Sequence, residues 1–372
     1  GQAQTIGVFP GMEGGFENVA TAQQAATTVA TGTQLTAYTG ANVANSIPSI
    51  NTSTVRSGAK SLQWITGSTS GILWTPTAGS TAIINATSYV VQFYWWKVTT
   101  GSARAFKVQI GPDGTTNLGA QITSATFGSN GVASTGWTKA SVVVTSGTSA
   151  ASPRYGLVHM VPSGGSFASP GYLLDDYVVY DGAAADVTAP DNPTAATISN
   201  NTASSLDVSW TAPGTGVDGG GYVVVRNTSG ITPIPNPNGI YGVGNIMAAG
   251  DSVVYIGTGT SFTNTGLTAA TTYYYYIFTA DKAFNYSAIP ASVNGATSSG
   301  CVAPVVTVDP IGYSTCQNST ATKIFVAATG TSLTYQWYSN TANAYSGAGL
   351  SNLGAANGAK TDTLTPLTTT PG

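Results

Sequence analysis

From end to end the chain alternates short runs that are apolar or have a two-residue period with clusters of Gly, Ser, Thr and Asn, and it carries no long stripe of 3.6-residue period. A two-residue period puts successive side chains on opposite faces of an extended backbone, while Gly and Asn supply the dihedrals of tight turns. The feature therefore dictates strands joined by turns. Composition agrees: only 7% of residues are charged, so helix formers such as Glu, Lys and Arg are scarce, and β-branched Thr and Val take their place. Phe, Trp and Tyr make up 10%, which a disordered chain would lack. The expected fold class is all-β, a tandem of β-sandwiches.

Three modules are expected in the 372 residues. Residues 1–185 hold runs at Ser61–Ile65, Ile72–Trp74, Tyr89–Val98, Ala105–Ile110, Trp137–Val144, Gly156–Val161 and Tyr172–Tyr180. That many strands imply a two-sheet sandwich of jelly-roll type. The segment 182–193, with Pro190 and Pro193, reads as an extended, semi-stiff joint. Residues 186–299 hold Leu206–Trp210, Tyr222–Arg226, Val253–Ile256 and Tyr273–Phe278, with an ordered insertion near Asn227–Gly250 that contains Pro237-Asn238-Gly239. Residues 300–372 hold Leu333–Tyr338, with Trp337 as an expected core residue, and are too few for a whole sandwich, so strands are expected beyond Gly372. Cys301 and Cys316 either bridge each other across Asp309-Pro310 or pair with a cysteine further along.

Several segments carry a resemblance. Asp207-Val208-Ser209-Trp210-Thr211-Ala212-Pro213 and Leu267-Thr268-Ala269-Ala270-Thr271-Thr272-Tyr273 resemble fibronectin type III repeats, the second through their tyrosine corner. Cys301-x-x-Pro304, Ser314-Thr315-Cys316-Gln317 and Tyr335-Gln336-Trp337 resemble immunoglobulin-like repeats. With Gly11-Met12-Glu13-Gly14-Gly15-Phe16-Glu17, the set is similar to large secreted proteins of Bacteroidota that use type IX secretion, a group that includes gliding and surface adhesins. The resemblance implies export to the extracellular space or outer cell surface, through secretion or cell-surface machinery. Gly1-Gln2-Ala3 looks like the end of a signal peptide. It also implies O-glycosylation at Ser252 in Asp251-Ser252-Val253 and at Thr363 in Asp362-Thr363-Leu364.

Catalytic chemistry is sparse. His159 is the single histidine, in an apolar strand pattern, and no Gly-x-Ser-x-Gly is present. Gly58-Ala59-Lys60-Ser61 lacks the glycines of a phosphate loop. Asp175 and Asp176 are adjacent, so in a regular strand they point to opposite faces and make no catalytic pair. Carbohydrate-binding jelly rolls commonly begin with Phe-Glu and end with an Asp-Asp strand. That likeness implies a structural calcium held by Glu17 and Asp176, with Glu13 and Asp175 in reserve. Alternation in Phe93-Tyr94-Trp95-Trp96 turns Tyr94 and Trp96 away from Phe93 and Trp95, and one pair must face the core. Tyr94 and Trp96, with Trp64 and Trp74, are the candidate glycan-stacking residues. The net charge of -3 leaves no basic patch for nucleic acid, and no apolar run reaches the ~20 residues of a membrane helix. The expectation is a non-catalytic adhesin or binding protein whose first module contacts surface glycans or polysaccharide. The competing expectations are an accessory region of a larger secreted enzyme, and a stalk or filament subunit.

Overall fold

The computed structural model describes residues 35–37, 47–65, 74–76, 88–98, 104–111, 122–127, 135–145, 155–162, 172–300, 302–312, 322–339, 348–349, 356–357 and 360–366. Every regular element among them is a strand, all paired antiparallel, so the fold is all-β. The described residues divide into two compact units, the larger running from the start to Thr297 apart from two short excursions.

Among the described residues up to Asp181 there are ten strands: β1 (Leu35–Ala37), β2 (Ile47–Asn51), β3 (Ser61–Ile65), β4 (Trp74–Pro76), β5 (Ser88–Lys97), β6 (Arg104–Gly111), β7 (Ile122–Phe127), β8 (Thr138–Thr145), β9 (Tyr155–Pro162) and β10 (Tyr172–Asp181). They form a five-stranded sheet of order β2-β3-β10-β5-β8 and a three-stranded sheet β7-β6-β9, with β4 beside β9 and paired to β1. Strands distant in the chain, such as β3 and β10 or β5 and β10, lie side by side in the five-stranded sheet. Seven strands follow: β11 (Thr194–Ser199), β12 (Ser205–Thr211), β13 (Gly221–Asn227), β14 (Ser252–Gly257), β15 (Ser261–Thr265), β16 (Thr272–Ala280) and β17 (Ala291–Ala296). Their sheets, β11-β12-β15 and β14-β13-β16-β17, make a sandwich of fibronectin type III form.

The central strands of the four-stranded sheet, β13 and β16, are buried on both faces. One face carries Tyr222, Val224, Tyr273, Tyr275 and Ile277, packed on Leu206, Val208 and Trp210 of the facing sheet. The other carries Val223, Val225, Tyr276 and Phe278, packed on Val90, Val178 and Tyr180 of the first module. A strand covered on one side alternates apolar and polar residues, whereas one covered on both reads as a continuous apolar run. This is the reason for Tyr-Val-Val-Val in β13 and Tyr-Tyr-Tyr-Tyr-Ile-Phe in β16. β5 follows the same rule: Tyr89, Val90, Val91, Gln92, Phe93, Tyr94 and Trp95 are all buried.

The expected joint at 182–193 is tied down within the larger unit. Gly182 N–H donates to Ser88 O (3.0 Å), Asp186 N–H to the Tyr180 hydroxyl (2.9 Å), and the Asn285 amide to Asp186 O (3.2 Å).

The smaller unit contains short pairings: Val305–Val308 with Ala327–Thr329, Ile324–Phe325 with Thr363–Pro366, and Tyr338–Ser339 with Ala348–Gly349. The strand expected over Leu333–Tyr338 is reduced to Tyr338–Ser339, because nothing among the described residues pairs with 333–337. Trp337 is half-buried, and its indole N–H donates to Thr361 O at 2.8 Å. Cys301 and Cys316 lie outside the described residues.

Candidate functional site

Among the described residues, a cluster of ionisable groups lies in the seam between the two sandwiches of the larger unit. It begins with an irregularity of β10. Asp175 pairs with Tyr94 and Val178 with Gln92, so two residues of β10 stand opposite Phe93 alone, and Asp176 takes φ 51°. Such a bulge breaks the alternation of faces. The expectation that Asp175 and Asp176 point apart is therefore overturned: both carboxylates are buried and meet the same turn, Arg56-Ser57.

That turn satisfies them. Asp175 Oδ2 accepts from Arg56 N–H (2.8 Å), and its Oδ1 accepts from Asp176 N–H (2.8 Å). Asp176 Oδ2 is ion-paired with the Arg56 guanidinium at 2.5 Å, and its Oδ1 accepts from the Ser57 hydroxyl and from Ile240 N–H at 2.7 Å. Ile240 belongs to the insertion between β13 and β14, so the cluster clasps that insertion to the first module. Arg56 also donates to Pro237 O (2.6 Å) and lies 3.3 Å above the Tyr94 ring, while Asn236 donates to Arg56 O (2.6 Å). Burial, with Asp176 alongside, pushes the Asp175 carboxyl well above its ordinary range. Burial also raises Asp176, against the opposing pull of Arg56.

Asn238 is the second knot. It sits in the Pro237-Asn238-Gly239 turn at φ 56°, a conformation that Asn tolerates better than most residues. Its amide nitrogen donates to Ala283 O (2.9 Å) and Asn285 Oδ1 (2.8 Å), and its Oδ1 accepts from Lys139 Nζ (2.9 Å) and the Tyr94 hydroxyl (3.3 Å). Behind it, Asp281 Oδ1 caps a tight turn by accepting from Ala283 N–H (2.9 Å) and Asn285 N–H (2.8 Å). Burial lifts the Asp281 carboxyl to about 6 against the hydrogen bonds from Asn285.

Asp175 and Asp176 do not fit the expected calcium site. All four of their oxygens already accept from donors, and a guanidinium occupies the place next to Asp176 where a hard cation would need room for 6–8 oxygen ligands. Glu13 and Glu17 lie outside the described residues, among which no three His, Cys, Asp or Glu gather. Tyr94 is no open platform either: it is 8% exposed, under Arg56. Trp96 remains half-exposed and meets Trp137, also half-exposed, edge to face with ring centroids 5.8 Å apart. Trp64 lies on β3 opposite Tyr172, and Trp74 on β4 opposite Ala37. Ser252 is half-buried on β14 beside buried Asp251, whose carboxylate accepts from Asn227 (2.8 Å), and Thr363 is half-buried at the start of a strand. His159 stands on β9 opposite Lys107.

Sequence reasoning missed Arg56, Ser57, Lys139, Asn238 and Asp281. Only Asn238 carried a signal, through its turn tripeptide. A separate groove of about 360 Å³ opens between the 182–193 segment, the insertion and the β16–β17 loop. It is floored by Phe278 and Tyr286 and rimmed by Val187 and Ile234, which are 79% and 86% exposed. Among the described residues no helix is long and apolar enough to cross a membrane.

No protein-family model matches the chain, and no curated protein matches it. Among solved structures it is similar to a β-1,2-glucanase from Parabacteroides distasonis at 15% identity and TM-score 0.40, over 68% of this chain and 34% of that one. It is likewise similar to the glycoside hydrolase domain of Endo-D from Streptococcus pneumoniae R6 at 10% identity and TM-score 0.40, over 70% and 37%. A two-domain fibronectin type III segment of chicken tenascin matches at 16% identity and TM-score 0.22, over 62% and 94%. The chain thus spans about a third of the length of the first two. At these identities and scores the likeness is one of β-rich architecture and goes no further.

Proposed function

We propose that this chain is a non-catalytic adhesin or binding protein of the outer cell surface, whose first two modules form one head that stacks on glycans through Trp96 and Trp137. The observation that carries the reading is the Trp96–Trp137 pair: two half-exposed indoles edge to face beside a sheet fixed from both sides. Sugar rings present apolar C–H faces that settle on rigid aromatic surfaces with little loss of side-chain entropy. Two carboxylates of the head, Asp175 and Asp176, are consumed in the clasp. Export by a type IX-like route, attachment at the cell surface and glycosylation at Ser252 and Thr363 rest on the sequence resemblance, and calcium has no part in the reading.

The test is a polysaccharide and glycan array probed with the full chain, wild type and Trp96→Ala. Binding that falls at least tenfold in Trp96→Ala, with an unchanged melting temperature, supports the reading. Ile234→Asp on the groove rim is the control and binds as wild type. An array without a hit removes the glycan, and hydrolysis of any bound glycan by the chain favours the enzyme reading.

A further inference from the structure

Lys139 and Asn238 bring an amine and a carboxamide into contact across the seam. They are 99 residues apart in sequence, yet Lys139 Nζ lies 2.9 Å from Asn238 Oδ1. Both ends are held. Lys139 is on β8, in register with Tyr94 of β5. Asn238 is 5% exposed, with its amide nitrogen fixed by Ala283 O and Asn285 Oδ1. Two reacting groups held this way behave as one molecule at very high local concentration.

We propose that Lys139 and Asn238 join through an isopeptide bond that covalently locks the two sandwiches. Lys139 Nζ attacks Asn238 Cγ. The new Cγ–Nζ bond forms, the Cγ–Nδ2 bond breaks, and Nδ2 leaves as ammonia carrying one proton from the attacking amine. Nothing is oxidised or reduced, and no co-reactant is needed. The attacking amine must be neutral. Burial and the charge of Arg56 push the Lys139 amine down, with Asp281 and Asp186 pulling weakly the other way. Negative charge that builds on Oδ1 in the tetrahedral intermediate faces the Tyr94 hydroxyl, 3.3 Å away and able to donate to it. The rival reaction of an Asn-Gly pair, attack by the following amide nitrogen, is restrained because Gly239 N–H is tied to Asn236 O at 2.9 Å.

The test is the intact mass of the denatured full chain with a tryptic map. The bond lowers the mass by about 17 Da, one ammonia, leaves a branched peptide containing Lys139 and Asn238, and abolishes cleavage after Lys139. Lys139→Arg keeps the charge and the hydrogen-bond donor but cannot close the bond. It restores the sequence mass while circular dichroism shows the same β-rich fold. A folded wild type with the sequence mass and normal cleavage after Lys139 overturns the proposal. So does the same mass loss found in an unbranched peptide, which marks ring closure at Asn238-Gly239.

Discussion

A single positive backbone angle at Asp176 decides the character of the seam. It turns a second carboxylate toward the turn that already holds Asp175, and one residue answers both, Arg56 giving its backbone N–H to Asp175 and its guanidinium to Asp176. Removing that guanidinium strands a buried charge, which typically costs about 3–5 kcal/mol. Arg56→Ala is therefore expected to lower the melting temperature sharply, where replacement of an exposed lysine would not, and thermal unfolding by circular dichroism reads the difference. The pH dependence follows from the direction of the shifts. Asp175, Asp176 and Asp281 all have carboxyls raised in the folded state. Their contribution is complete below the ordinary carboxylate value of 3.8 and is lost as pH rises through the folded value, which is about 6 for Asp281. The melting temperature should thus fall as pH rises from about 4 through about 6, and Asp175→Asn should flatten the fall. A rise over that window would contradict the burial of these acids. None of this was legible in the sequence, because adjacent acids in a strand read as alternating and Arg56 lies 120 residues away from Asp176.

At the level of strands, legibility was better. Runs such as Leu206–Trp210 and Tyr172–Tyr180 announced themselves by period or apolar density and lie within a residue or so of β12 and β10. What the runs did not announce was their partner: Val223, Val225 and Phe278 could have been assigned to any covering layer, and their contact with Val90 and Tyr180 depends on pairing between distant segments. Phe278→Ala is expected to cost about 3–5 kcal/mol, the range for a large aromatic removed from a packed core, measured by denaturant unfolding. Gly220 sets the entry to β13. A Cβ there would collide with the backbone of Ala280 and Asp281, so Gly220→Ala should disrupt the β13–β16 pairing, and soluble yield with native-state hydrogen exchange on β16 would show it.

For the molecule as a whole, the shared core makes two modules behave as one cooperative body. Calorimetry of the full chain should show residues 47–297 melting in a single transition. The double variant Arg56→Ala, Phe278→Ala should divide it in two, and a divided transition in the wild type would refute the idea of one body. Module boundaries could be drawn from prolines and turn clusters. Fusion could not, because a proline-bearing linker of small residues looks the same whether its flanking domains touch or swing.

The two-sided burial of β13 and β16 also bears on tension. A pull applied at the end of β17 reaches β5 broadside through interdigitated side chains, so the connecting peptide around Pro190 is spared most of the strain. An interface built this way yields by shearing as a whole, so the two modules should resist extension as one stiff arm where a string of beads would stretch.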